Sequence, residues 1–279
     1  MSVTPRRHKP LAAAAEHGTS LMELLVAMLC SLIVLGALLA ILEFSLGQES
    51  RIADAVQADQ IGRTSMTRIV EDLHSACAGN GATAIQLPSP TPTSWTAPLE
   101  PTNRVNLWLV SAYGSKSAGS VEVKEAFEHD INWTSTGKTT SSGQQVGKLT
   151  DYMFVGSGSP NHWTFPEFTV ANAHARLLAT NVIAPFVEEG GIQQPTLFRY
   201  AEYNNNSAEA RDGQLVPLLT SGEVSTAATG KEIAEVTITF TQASESGRTE
   251  PSHTSALSDS VVLRFNSSKT GEVVNRPCE

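Results

Sequence analysis

The sequence predicts an α+β protein in which one long N-terminal helix, apolar enough in its first half to cross a membrane, precedes an antiparallel β-rich domain. Three observations carry this. From Leu24 to Leu42 no residue bears a formal charge, and as a helix that run spans about 28 Å, close to a bilayer's hydrocarbon thickness. An amphipathic pattern then continues the helix. Beyond residue 82 the texture changes to short β-like runs separated by polar loops.

Taken from the start, Arg6, Arg7 and Lys9 precede the apolar run, so the short N-terminal flank is expected in the cytoplasm and the rest of the chain outside. An ordinary secretory signal is cut behind its apolar region at a small-residue site. Here Glu43-Phe44-Ser45 follows Leu42 instead. Glu23 stands at the edge of the apolar run, where a carboxylate is costly enough to require a named partner. A plain signal anchor whose Glu23 reaches for the interface is the bland alternative.

Gly18-Thr19-Ser20-Leu21-Met22-Glu23, followed at once by Leu24-Leu25-Val26, resembles the processing site of type IV pilins and of the pseudopilins of type II secretion. The resemblance implies cleavage by a prepilin peptidase between Gly18 and Thr19 and methylation of the new N-terminus. It also implies that Glu23 is the assembly carboxylate, pairing with the N-terminal amine of a neighbouring subunit. Thr19 departs from the family, where phenylalanine is usual. The implied partners are other pilin or pseudopilin subunits, the peptidase, an inner-membrane assembly platform and the lipid bilayer. The implied location is the cytoplasmic membrane, single-pass with an extracytoplasmic C-terminal domain, and then a pilus or pseudopilus. On this reading residues 1–18 are a leader, 19–43 the transmembrane and assembly helix, 44–80 its amphipathic continuation, 81–104 a Pro-rich loop and 105–279 the globular domain.

In the amphipathic half, Ile52, Val56, Met66, Ile69, Val70, Leu73 and Cys77 share one stripe, while Arg51, Asp54, Gln57, Arg68, Glu71 and Asp72 take other faces. The helix is expected from Ser20 to about Ala78, with Gly79-Asn80-Gly81 as its stop. Gly36, Gly47 and Gly62 interrupt it at a cost of up to ~1 kcal/mol each relative to alanine. Of the three cysteines, Cys30 reads as a buried small hydrophobe. Cys77 and Cys278 both fall outside the membrane, where a disulfide between them would persist; the alternative is two free thiols.

Strands are predicted at Val105–Val110, Val121–Val123, Tyr152–Val155, Trp163–Phe165, Arg176–Ala179, Thr196–Tyr203, Leu215–Leu218, Ala234–Thr241 and Ser260–Phe265. The clearest is EVTITFT, where Val236, Ile238 and Phe240 alternate with threonines. Thr134–Gln145 and Gln242–Ser258 read as exposed loops, Gln86–Pro101 as a Pro-rich one, and Asn204–Gly213 as a turn region. The succession TLFRYAEYNNN, DGQLVPLL, EIAEVTITFTQ and SVVLRFN is similar, more loosely than the N-terminal motif, to minor pilins and J-type minor pseudopilins. That likeness implies a pilin-like sheet on which the helix packs.

The formal charge of −9, more negative still without the basic leader, argues against a general nucleic-acid surface. G-x-S-x-G, H-E-x-x-H and Walker A patterns are absent, and the seven histidines show no metal-ligand spacing, so no catalytic residue, metal or cofactor is expected. Gly156-Ser157-Gly158-Ser159-Pro160 reads as a hairpin loop. Glu122, Glu125, Glu128, His129 and Asp130 offer oxygen ligands for a hard cation, but solvated charge is preferred, as it is for Glu188-Glu189. The function expected is that of a non-enzymatic minor filament subunit. The alternative is an uncleaved, single-pass signal-anchored extracytoplasmic ligand-binding protein, and a hydrolase assembled without local motifs stands third.

Overall fold

A computed structural model describes residues 20–77, 85, 103–117, 120–159, 162–165, 173–203, 214–219, 233–250 and 253–263. It contains one 54-residue helix, α1 (Leu21–His74), and strands that pair antiparallel throughout. The layout is α+β. Contacts divide the chain into the units Met1–Ser50 and Arg51–Glu279.

The first unit, over its described residues, is helix. Ser20 starts it: the Ser20 hydroxyl accepts from the Glu23 N–H at 3.2 Å, and the Glu23 carboxylate accepts from the Ser20 N–H at 3.2 Å. This is a reciprocal S-x-x-E cap that satisfies two otherwise orphaned donors. The large apolar side chains from Leu21 to Leu46 are exposed, and the segment is long and apolar enough to span a membrane. Among the described residues nothing lies within 4 Å of a Cβ built at Gly36 or Gly47.

In the second unit α1 buries Ala58, Gly62, Ser65, Met66, Ile69, Asp72 and Leu73, at the three- and four-residue steps of one helical face. Met66, Ile69 and Leu73 of the apolar stripe expected lie on this face, and Cys77 beyond the helix is buried too, but the stripe fails at its start. Ile52 and Val56 are exposed, and Asp72, assigned to a polar face, is fully buried. The buried side is chosen by fit to the sheet. A Cβ at Gly62 would collide with Leu257 and stand 3.0 Å from Gln242 Cβ, so helix and sheet meet there at backbone distance. The Ser65 hydroxyl donates to the Leu178 carbonyl at 2.7 Å. Helix α1 also stops short of Ala78, because the exiting chain pairs with the first strand. Cys77 N–H donates to Val110 O at 3.0 Å, Ala112 N–H to Ser75 O at 3.3 Å, and Ala76 and Ile85 bridge Ser111 and Leu109. The expected stop at 79–81 lies outside the described residues.

The main sheet runs in the order β1 (Asn106–Ser117), β2 (Ser120–Thr139), β3 (Gln145–Val155), β6 (His174–Ile183), β11 (Ile233–Ala243), β9 (Phe198–Tyr203), β10 (Leu215–Leu218), with β12 (Thr254–Val262) also on β11. β11 is the hub. One edge pairs with β12, and the other pairs with β9 over its first half and with β6 at its end. Two separate ribbons are formed by β4 (Ser157–Ser159) with β5 (His162–Thr164) and by β7 (Phe186–Glu189) with β8 (Ile192–Pro195). Met66, Ile69 and Leu73 of α1 join Leu109, Ile131, Trp133, Leu149, Phe198, Val236, Ile238 and Phe240 in the main core.

The polar tracts read as loops are in part strand. β2 continues to Thr139, turning only over 140–144, while β11 reaches Ala243 and β12 begins at Thr254, ahead of the expected Ser260. A strand with one wet face needs no apolar residues on that face. In β2 the ladder also shifts register between Ser135 and Lys138 around Gly137, at φ 78°, which breaks the alternation a reader looks for. Ser157–Ser159, read as part of a loop, is a strand that pairs antiparallel with His162–Thr164. Residues 204–213 and nearly all of the Pro-rich loop fall outside the described residues.

Gly147 sits where an alanine Cβ would strike the Trp133 indole and stand 2.6 Å from the Thr134 carbonyl, while Trp133 Nε1 donates to Val182 O at 3.1 Å. Gly147→Ala is expected to cost about 1–3 kcal/mol; an unchanged melting temperature would show that the indole has room to move. Burial pushes the Tyr200 hydroxyl well above its ordinary 10.0, and it donates to the carbonyls of Asn103 at 2.9 Å and Asn106 at 3.2 Å. A raised folded-state pKa gives stability that is whole below the unfolded value and lost as pH rises past it. Tyr200→Phe should therefore cost about 1–2 kcal/mol at neutral pH and flatten the decline in stability above pH ~10, as read by denaturant titration.

Candidate functional site

Four adjacent strands and the helix bring one set of polar side chains together in the core. Alternation along β1, β2 and β3 points Ser111, His129 and Asp151 to the side on which α1 packs, and Arg176 stands directly opposite Asp151 in the β3–β6 ladder. Asp72 enters from α1. Ser111, His129, Asp151 and Asp72 are all at most 1% exposed. The Arg176 guanidinium lies 2.5 Å from Asp151 and 3.2 Å from Asp72, and Arg68 Nε is 3.7 Å from Asp72. His129 Nδ1 is 3.1 Å from Asp151 Oδ1, and its Nε2 is 2.8 Å from the Ser111 hydroxyl.

In the neutral imidazole with its proton on Nδ1, that nitrogen donates to the carboxylate and Nε2 accepts from Ser111. Serine, histidine and aspartate thus follow the donor order of a nucleophilic triad. The surroundings do not suit attack on a substrate, because the Ser111 hydroxyl is shut inside the core and Asp151 spends its other oxygen on Arg176. One ligand atom each from Asp72, His129 and Asp151 lie within 4.8 Å of one another, a donor set for a divalent cation. The guanidinium of Arg176 already lies between the two carboxylates and supplies the positive charge. The chemistry this cluster performs is cohesion: it neutralises two desolvated carboxylates and ties α1 to four strands.

None of this was visible as a local motif. Histidine spacing shows nothing because the partners come from α1, β1, β2, β3 and β6. A usable signal was present in the phase of the strands: Asp151 occupies the same inward phase as the buried Leu149, and His129 that of Ile131. The acidic stretch read as solvated charge needs correction on the same ground. Glu125 is exposed, but Glu128 and Asp130 are buried on one face of β2 and His129 on the other, so period-two alternation splits the cluster. Of the other acidic pair, Glu188 is exposed, while Glu189 meets Arg104 at 3.3 Å.

The residues singled out at the N-terminus are placed as follows. Glu23 is exposed and caps α1. Leu24 and Leu42, the ends of the uncharged run, are both exposed. Cys30, expected to be buried, is exposed and free, since none of the described residues covers that helix surface. Cys77 is buried and disulfide-bonded. Gly18, Thr19 and Cys278 lie outside the described residues. No known protein family, curated protein or solved structure matches the chain.

Removing Arg176 would take the guanidinium from buried Asp151 and leave Asp72 only the longer contact to Arg68, so Arg176→Met is expected to destabilise the protein by about 3–5 kcal/mol, against about 1 kcal/mol for Ser111→Ala. A serine-directed fluorophosphonate should leave Ser111 unlabelled in the native protein. Labelling that requires His129 would overturn the structural role.

Proposed function

We propose that the chain is a non-enzymatic subunit of a type IV pilus or type II secretion-like filament, a minor pilin or pseudopilin processed after Gly18. The observation that carries the reading is a single helix put to two uses. Its second half is built into the core of a β domain, whereas its first half keeps an uncovered apolar surface headed by a carboxylate. In the bilayer that surface is solvated by lipid. In a filament the same surface is covered by helices of other subunits, and Glu23 pairs with the amine at Thr19 of a neighbour.

The cap geometry supports this without competing with it. The Ser20 N–H occupies one Glu23 oxygen, Oε2, and a carboxylate accepts through two, so Oε1 is left for an ammonium group. The disulfide at Cys77 fits an oxidising, extracytoplasmic domain.

Two measurements test the proposal. Mass spectrometry of membrane-derived protein should find a chain beginning at Thr19; an intact leader in cells with an active prepilin peptidase would favour the uncleaved anchor. Glu23→Gln keeps the cap, since glutamine serves at that position, but removes the charge. It should be processed and membrane-retained yet incorporated into filaments well over tenfold less, the consequence of breaking a buried ion pair. Glu23→Ala loses cap and charge together. Equal incorporation of wild type and Glu23→Gln would show that charge does not govern assembly.

A further inference from the structure

Within the β domain's unit, α1 is held by two different means along its length. From Ser65 to Leu73 it buries Met66, Ile69 and Leu73 in the main core, with Asp72 beside them, so lifting this stretch would bring large apolar side chains into water. From Arg51 to Gln60 only Ala58 is buried, and Ile52 and Val56 are exposed. A single methyl group gives little hydrophobic cohesion. What holds this stretch is polar.

The holding groups come from the connection between β11 and β12. Its root is fixed to β6, where Asn181 Nδ2 donates to Ser244 O at 3.0 Å and Gln242 Nε2 to Thr180 O at 2.6 Å. From that root it reaches α1. His253 Nδ1 stands 3.0 Å and Arg248 Nη1 3.4 Å from Asp54 Oδ2, and the Ser255 hydroxyl donates to Asp59 Oδ1 at 2.9 Å. Leu257 then meets Gly62, where the deeper packing begins. The Arg248 side chain is 53% exposed and contributes little, whereas that of His253 is 9% exposed, so His253 is the firmer hold on Asp54. At 100° per residue, Asp54 and Asp59 stand on either side of Ala58. The connection thus grips both margins of a seat that the helix itself fills with one methyl group.

We propose that the β11–β12 connection is a clasp, and that Arg51–Gln60 docks and undocks as a unit separate from Ser65–Leu73. Stretches with few buried apolar contacts open at free energies below that of global unfolding. Open, the clasp frees about 15 Å of α1 at 1.5 Å per residue while the core stays closed around Ile69. The clasp stands independently of the filament reading, since every residue in it belongs to the β domain's own unit.

Thiol labelling of the full-length protein in detergent micelles tests this, because it reads undocking even where the freed segment stays helical. Cys30→Ser removes the free thiol, and one cysteine is introduced as Ala58→Cys or as Ile69→Cys, both positions being buried; melting temperatures of the two variants correct for any difference in global stability. Position 58 is expected to label about tenfold or more faster than position 69. Asp54→Ala should speed labelling at 58 about tenfold further and leave 69 unchanged, because it removes the group that His253 and Arg248 hold. Ser255→Ala should act in the same direction more weakly. Equal corrected rates at the two positions, acceleration of both together, or a rate at 58 indifferent to Asp54→Ala would overturn the clasp.

Discussion

A carboxylate on the packed side of a helix is costly to bury unless a partner meets it, and Asp72 meets the Arg176 guanidinium at 3.2 Å. Apolar side chains tolerate a helix sliding by a fraction of a turn, since one hydrophobic contact replaces another. A charge pair does not tolerate it. Because Arg176 is also paired with Asp151, and Asp151 with His129, one position of α1 satisfies all of them. The close approach at Gly62 and the Ser65–Leu178 hydrogen bond belong to the same docked position. Replacement of such a network by well-packed apolar groups can leave stability unchanged or raised, so its contribution is best understood as register.

The two parts of α1 solve the burial problem in different ways. Beyond Arg51 the helix is covered by its own domain, with small and charged residues setting the fit. Before it, large side chains such as Leu29, Leu32 and Ile41 are uncovered, and what satisfies the polar groups is local: the Ser20–Glu23 cap closes the helix start within one turn. A helix capped in this way is complete as a backbone whether its surroundings are lipid or protein.

What was legible in the sequence follows the range of the interactions. The uncharged run, the long helix and the alternation of Val236, Ile238 and Phe240 are local patterns, and the fold class could be read from them. Ser20-x-x-Glu23 was equally local, yet its capping role was masked by the interest of Glu23 as an assembly charge. Helix facing was misread at Asp72, because hydropathy treats every aspartate as solvent-seeking while its partner Arg176 lies far away in the chain. The same blindness merged Glu128, His129 and Asp130 into one cluster, although strand pleating sends them to two faces. The strands hidden in polar tracts were missed because β12 draws its order from pairing with β11, a contact with no signature in its own residues.

Ala76 and Ile85 bridge β1, and at the other end of the strand order β10 carries Pro217, which has no N–H to offer. Both ends of that path are therefore poor templates for a foreign strand. At high local density on a membrane, sheet-to-sheet growth from these edges is a route to amyloid-like deposits, and a domain blunted in this way can be crowded without it.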